Sequence, residues 1–182
     1  MPRTKTYLAL LRGVNVGGRN KLKMADLTAL FEASGATNVR THLQSGNVLF
    51  DLDGPRTRLV LATVGSGLLE AHGVEVPIVL RESTELPDIL SACPFPTEGV
   101  DPTTVHVGFL EARPGNDHLE LLRDRESGAD EIAVHGAEFY LRTPNGLAGT
   151  KFTTSFLDRA FGCVTTVRNW RTAQALADKA KA

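Results

Sequence analysis

Glycine, amide and cationic side chains cluster directly after the first apolar run of the chain. Arg12 leads into the segment Gly13–Asn20, whose letters are GVNVGGRN, and Lys21 follows it. Glycines allow backbone N–H groups to approach a ligand closely, and the N-terminus of a following helix favours negative charge. The chemistry that this combination serves is the binding of a phosphate or another anion.

The same segment departs from the two glycine-rich nucleotide motifs. Its spacing approaches G-x-x-x-x-G-K-[ST], but Arg19 stands where lysine belongs and Asn20 where the metal-binding hydroxyl belongs. The dinucleotide fingerprint G-x-G-x-x-G fails because Asn15 occupies its second glycine. A nucleoside triphosphatase is therefore disfavoured. The competing interpretation is that the glycines only make a sharp turn and the basic residues are solvated.

The elements that must position this loop form a recognisable order. Apolar patterning predicts strands and helices in the order strand, helix, two strands, helix, strand, which is the ferredoxin-like unit. The predicted strands are Thr6–Arg12, Val39–Leu43, Val48–Leu52 and Val74–Leu80, and the predicted helices are Met24–Gly35 and Arg56–His72.

A second unit with the same order follows a proline-rich stretch. Its predicted strands are Thr104–Leu110, Glu131–Val134, Glu138–Leu141 and Val164–Val167, and a last helix begins after Asn169. The fold predicted is α+β: two tandem ferredoxin-like (βαββαβ) halves with antiparallel sheets, plus a C-terminal helix. The halves are expected at residues 1–82 and 103–182, joined by a linker with a short helix at residues 83–102.

Chain direction in the first sheet brings the glycine-rich loop next to a hairpin turn. The first and third strands of a ferredoxin-like sheet are neighbours, so the loop after strand one and the turn Gln44–Asn47 lie at the same end. His72, at the end of the second helix, is expected at this end too. The predicted ligand-binding residues are Arg12, Asn15, Gly17, Gly18, Lys21, Ser45, Gly46 and Asn47.

Composition narrows the classes of function. The formal net charge is -1, so no global field attracts nucleic acid, and an anion site must be local. Nucleic-acid binding is therefore disfavoured, although a local group of basic residues keeps it as an alternative.

Neither the five histidines nor the two cysteines have the spacing of metal ligands, so no metal and no cofactor is expected. Cys93 and Cys163 are expected to be buried, reduced thiols. The apolar run Tyr7–Leu11 is too short for a signal peptide or a membrane helix, which predicts a cytoplasmic protein without a membrane partner.

Two further features concern packing. In the first strand Leu8 and Leu10 point one way and Tyr7, Ala9 and Leu11 the other, so both faces are apolar. The two halves are expected to pack together within a monomer, with a homodimer as the alternative. Near the C-terminus, Trp170 is expected to anchor the last helix in the core rather than to form a basic and aromatic surface patch.

Several of these segments together resemble a known family. Leu10–Gly18 with Lys21 and Met24, Gln44–Val48 with Phe50, and Arg168–Thr172 are similar to the bacterial family of uncharacterised proteins called domain of unknown function 1697. The resemblance implies a duplicated ferredoxin-like α+β fold and no particular activity. Besides the loop and hairpin residues, it identifies a secondary motif at Arg168, Asn169, Trp170 and Thr172. Arg171 departs from the family pattern, where a small polar residue is expected.

Three functions remain open at this point. The first is a protein that binds a small phosphate-bearing or other anionic ligand at the loop after the first strand. The second is an enzyme acting on such a ligand, with Ser45 or His72 handling a proton. The third is a structural or interaction module without a small-molecule site.

Overall fold

The first sheet has the predicted ferredoxin-like order. A computed structural model describes residues 4–16, 20–53, 56–73, 75–123, 125 and 127–181. Strands β1 (Thr4–Leu11), β2 (Thr37–His42), β3 (Asn47–Asp53) and β4 (Ile78–Glu82) lie in the order β2-β3-β1-β4, and all neighbours are antiparallel. Helix α1 (Met24–Ala33) connects β1 to β2, and α2 (Thr57–His72) connects β3 to β4.

The second sheet repeats this arrangement. Strands β5 (Val105–Leu110), β6 (Glu131–His135), β7 (Glu138–Arg142) and β8 (Thr165–Asn169) lie in the order β6-β7-β5-β8, again antiparallel. Helices α4 (Asn116–Arg123) and α5 (Thr154–Phe161) are its crossovers. Helix α3 (Leu86–Ser91) precedes the second sheet, and α6 (Trp170–Ala180) is the added C-terminal helix. The α+β architecture of two such halves plus a final helix is confirmed.

The fourth strand of the first sheet begins later than predicted. The sequence pattern predicts it at Val74–Leu80, of which Val74 lies outside the described residues, whereas β4 spans Ile78–Glu82. Pro77 has no N–H to donate to a ladder, so regular pairing with β1 starts only after it, at Leu11 opposite Ile78. Val76 is buried, but it belongs to the irregular segment before the strand.

Each sheet packs its helices on an aromatic core. In the first half Phe50 of β3 stacks on Tyr7 at a centroid distance of 5.7 Å and contacts Phe31 of α1 at 5.0 Å. Leu8 and Leu10, on the opposite face of β1, are also fully buried, as the two-sided apolar pattern of that strand predicts. In the second half Phe139 of β7 stacks on Phe161 of α5 at 5.1 Å.

Contacts divide the chain into two compact units. One runs to Leu86 and takes in the chain end from Ala180, and the other is Pro87–Lys179. No helix in the described part of the chain combines the length and apolar character that a membrane crossing requires. Cys93 and Cys163 are half-buried rather than buried as expected, and burial raises the pKa of the Cys93 thiol.

Candidate functional site

The loop after β1 is held in shape by its own asparagines. Asn15 and Asn20 both adopt left-handed backbone conformations, with φ of 54° and 49°, which asparagine tolerates better than most residues. The Asn15 amide donates from Nδ2 to the carbonyls of Leu22 (2.8 Å) and Gln44 (2.7 Å), and its Oδ1 accepts from the Leu22 N–H (2.8 Å). Asn20 Nδ2 donates to the Gly13 carbonyl at 3.0 Å. These bonds fix the described loop residues Gly13, Asn15 and Asn20 relative to Leu22 and to the hairpin.

The hairpin between β2 and β3 is equally specific in its residues. Gly46 has φ of 72°, and a Cβ at this position would lie 2.7 Å from Cβ of Leu11, so neither the conformation nor the space admits a side chain. Asn47 is fully buried, and its Nδ2 donates to the His42 carbonyl (2.9 Å) and to Oγ of Ser45 (3.0 Å). These contacts explain the letters Ser-Gly-Asn as the requirements of a tight turn.

The loop and the hairpin lie side by side. Besides the bond from Asn15 to the Gln44 carbonyl, the Leu11 N–H donates to the Gly46 carbonyl at 2.8 Å, and Leu10 pairs with Asn47 across the ladder. The predicted adjacency of the two segments is thus present in the structure. The ligand-binding role assigned to them stays a prediction.

A third segment, between α2 and β4, reaches the same end of the sheet. The Arg12 N–H donates to the Pro77 carbonyl at 3.0 Å. Lys21 and His72 line one small cavity of about 10 Å³ together with Asn20 and the buried Val76. His72 therefore lies beside the loop, as expected from the topology. We call the surface formed by Arg12, Lys21, the hairpin 43–46 and His72 the N-terminal rim.

The predicted site residues fall into two groups in the described chain. Asn15, Gly46 and Asn47 form the internal framework. Arg12 and Ser45 are half-buried, and Lys21 is exposed. Gly17 and Gly18, predicted to offer backbone N–H groups, lie outside the described residues. Pro77 and Gln44 contribute backbone carbonyls that the site prediction did not include. For Pro77, a sequence signal was available: the proline stands just before an apolar run.

The rim contains two cationic residues, Arg12 and Lys21. Charged residues close by in the chain are of both signs: Lys23 precedes α1, Asp26 lies in the first turn of α1, and Glu75 lies two residues before Pro77. The described residues contain no group of three or more histidine, cysteine or acidic side chains that could hold a metal ion.

The secondary motif near the C-terminus consists of residues with structural contacts. Asn169 Oδ1 accepts from the Thr172 N–H at 2.9 Å, which is the predicted helix cap. Trp170 is 5% exposed, so it anchors α6 in the interior and does not form a surface patch. Arg168 is also buried; its guanidinium donates to Oγ1 of Thr166 and to the Val167 carbonyl, and burial lowers its pKa to about 10.

A cleft elsewhere in the chain and the motif residues do not coincide. A cleft of about 410 Å³ is formed entirely by residues of the second unit, between a turn at 127–130 and the segment 145–151, whereas the cavity at the N-terminal rim holds about one water molecule. The candidate site lies at the rim, because three sequence-predicted segments meet there.

Comparisons with known proteins agree with the fold and give no activity. The chain aligns over 99% of its length with all of "conserved bacterial protein SP0830" from Streptococcus pneumoniae, with a TM-score of 0.74 and 18% sequence identity. At that identity the likeness concerns the fold alone. No curated protein matches the chain. Residues 4–140 match the model of the family described as "Protein of unknown function (DUF1697)", and the chain therefore belongs to that family.

Proposed function

We propose that this protein binds a small phosphate-bearing or other anionic ligand at the N-terminal rim. The observation that carries the proposal is that two cationic residues lie next to the same segment, the one between α2 and β4. The backbone N–H of Arg12 donates to the Pro77 carbonyl of that segment, and Lys21 lines a cavity together with His72 and Val76. An anionic group placed between the two side chains gains charge-assisted hydrogen bonds from both.

The framework residues have an indirect role in this proposal. Both N–H groups of the Asn15 amide and its oxygen are engaged within the protein, so Asn15 shapes the loop without contacting the ligand. Asn47 is fully buried and positions the Ser45 hydroxyl through a 3.0 Å bond. Ser45 is then the hairpin residue suited to a polar contact with the ligand. Gly17 and Gly18 remain predicted sources of backbone N–H groups.

The small size of the cavity limits how a ligand can bind and how tightly. A cavity of about 10 Å³ cannot enclose a ligand, so the anionic group has to dock on the rim with the rest of the molecule outside. Attraction between solvent-exposed charges is screened by salt over roughly 10 Å at 0.1 M. We therefore expect weak binding that weakens further as ionic strength rises.

Thermal unfolding in the presence of ligands tests the proposal. The probes are inorganic phosphate, nucleoside monophosphates, sugar phosphates and dicarboxylates, with chloride at equal ionic strength as the reference. A probe at 100 times its dissociation constant should stabilise the protein by about 2.7 kcal/mol. Arg12→Gln combined with Lys21→Met should abolish this shift.

The matched control removes a cation elsewhere. Arg113→Gln, at an exposed position before α4, should retain the full ligand-induced shift. If no anion changes the unfolding temperature, or if the double variant keeps the shift of the unmodified protein, the proposal is refuted.

One observation favours a second candidate, an interaction surface for another protein. Val16 in the loop is 60% exposed and Leu43 in the hairpin is 56% exposed, and Leu43 has φ of 58°, a costly conformation for a bulky side chain. Val16→Ser and Leu43→Asn would weaken binding to a protein partner and leave anion-induced stabilisation unchanged. Loss of that stabilisation in both variants would instead assign the two side chains to the ligand site.

A further inference from the structure

The cleft in the second unit has the size and wall structure of a ligand site. Its volume is about 410 Å³, within the roughly 300–1,000 Å³ typical of small-molecule pockets. It is open to solvent between a turn at 127–130 and the segment 145–151. The lining residues that matter here are Gly128, Asp130, Asn145, Gly146, Gly149 and Lys151.

Internal contacts hold the two walls at a fixed separation. Arg125 donates from Nη2 to the Lys151 carbonyl at 2.9 Å, which joins the two segments, and its guanidinium lies 4.5 Å from the centre of the Phe156 ring. The first wall is closed by a bond from Ser127 Oγ to the Asp130 carbonyl at 2.8 Å. The cleft therefore exists before any ligand arrives.

The second wall is tied to the sheet. The Gly146 N–H donates to the Thr143 carbonyl (2.9 Å), and the Thr143 N–H donates to the Thr104 carbonyl (2.8 Å). Thr143 Oγ1 also lies 3.1 Å from Nε2 of His106, a buried histidine of β5. Segment 145–151 is thus anchored to β5 through a buried pair of side chains.

One glycine of the cleft differs from the other two. Gly128 and Gly146 have φ of 64° and 81°, which accounts for glycine at those positions. Gly149 does not have a positive φ, and a Cβ there would meet nothing within 4 Å. The absence of a side chain at 149 leaves that part of the cleft open, so a ligand can approach the backbone there.

Two residues of opposite charge, Asp130 and Lys151, are among those that line the cleft. Among the described residues no ion pair joins these two, and the Asp130 carboxylate has a charge interaction with the buried His106. Asn145, which carries an amide, also lines the cleft. Charges of opposite sign that line one cleft without bonding each other match a molecule that carries both an ammonium and an anionic group.

We propose that this cleft binds a small zwitterion with an ammonium and a carboxylate, the chemistry of a free amino acid. Its ammonium pairs with Asp130, its carboxylate pairs with Lys151 and takes a hydrogen bond from Asn145, and its body lies against Gly149. This site is independent of the N-terminal rim, since every residue involved belongs to the second unit.

Titration followed by amide NMR tests the assignment on the full chain. The probes are glycine, alanine, glutamate and lysine as free amino acids, each beside its N-acetylated and its C-amidated form. A free amino acid should shift the amides of residues 128–130 and 145–151 saturably. Either blocked form should bind at least tenfold more weakly, because one of the two ion pairs is lost.

Three variants locate the binding, each with a check on folding. Asp130→Asn and Lys151→Met should each weaken binding at least tenfold, and Gly149→Ala should do so by occupying the cleft. The matched controls are Asp88→Asn, an exposed aspartate of α3, and Gly65→Ala, another glycine without positive φ or a near neighbour. Both controls should bind as the unmodified protein does, and all variants should keep their unfolding temperature within a few degrees.

Two results overturn the inference. One is that none of the free amino acids causes a saturable shift at concentrations up to 10 mM. A dissociation constant of 10 mM corresponds to a binding free energy of about 2.7 kcal/mol. The other is binding that persists within twofold in both Asp130→Asn and Lys151→Met, or that shifts amides of the first unit instead. Failure here leaves the anion test at the N-terminal rim unaffected, because that test uses different residues and different ligands.

Discussion

Replacing Asn15 with alanine should destabilise the first unit by about 3 kcal/mol. The side chain makes three hydrogen bonds, to the Leu22 N–H, the Leu22 carbonyl and the Gln44 carbonyl, each worth roughly 1 kcal/mol. Alanine also loses about 1 kcal/mol in the left-handed conformation that this position requires. Because Asn15 is half-buried, water replaces part of the lost bonding, which brings the total from about 4 to about 3 kcal/mol.

Native-state amide exchange is the appropriate assay. The only tryptophan, Trp170, belongs to the second unit, so its fluorescence does not report on this loop. The free energy of opening should be read at the Leu11 N–H, which is bonded to the Gly46 carbonyl. The Leu22 N–H is bonded to the Asn15 side chain itself, so it reports the loss of that acceptor directly. Both amides should lose protection in Asn15→Ala.

Two companion variants separate the contributions. Asn15→Gly keeps the backbone conformation and loses the amide, so it should cost about 1 kcal/mol less than alanine. Asn20→Ala has the same conformational cost but loses only the bond to the Gly13 carbonyl, so it should cost about 2 kcal/mol. The reasoning is refuted if Asn15→Ala costs less than 1 kcal/mol, or if Asn20→Ala costs more than Asn15→Ala.

Three further perturbations follow from single contacts. Gly46→Ala should cost about 2–4 kcal/mol in denaturant unfolding, because it combines positive φ with a Cβ 2.7 Å from that of Leu11; an unchanged midpoint contradicts this. Burial lowers the pKa of His106 in the folded protein, so the unfolded chain takes up the proton first and the free energy of unfolding should fall as pH drops below about 6.5. In His106→Leu the free energy of unfolding should depend less steeply on pH in this range. An equally steep dependence in the variant argues against this role of His106. Tyr140→Phe removes the 2.6 Å hydrogen bond to the buried Ile89 carbonyl and should lower the free energy of unfolding, measured by calorimetry, by about 1–3 kcal/mol. An unchanged free energy of unfolding contradicts this prediction.

Local patterns in the sequence were sufficient for most of the fold. Alternating apolar residues locate the strands, and Gly73 and Gly162 end α2 and α5 in the left-handed conformation that stops a helix. Asn169 caps α6 as its position indicates. Such features depend on neighbours along the chain, which is why a linear pattern contains them.

The start of β4 depended on partners that the linear pattern does not contain. Strand limits are set by which residues find a partner across the sheet, and the regular ladder with β1 begins at Ile78, opposite Leu11. The adjacency of loop and hairpin at the N-terminal rim was predictable, because it follows from strand order alone.

What the sequence by itself determined about this protein is the order of its elements and the end of the sheet at which its motifs meet. Tertiary structure decided which of those polar groups are already engaged. It assigns the amides of Asn15 and Asn47 to the framework, and it brings Asp130 and Lys151, twenty-one residues apart, to one cleft. The physical reason is that a hydrogen-bonding side chain can serve the chain or a ligand, and only the distances to its neighbours in space distinguish the two.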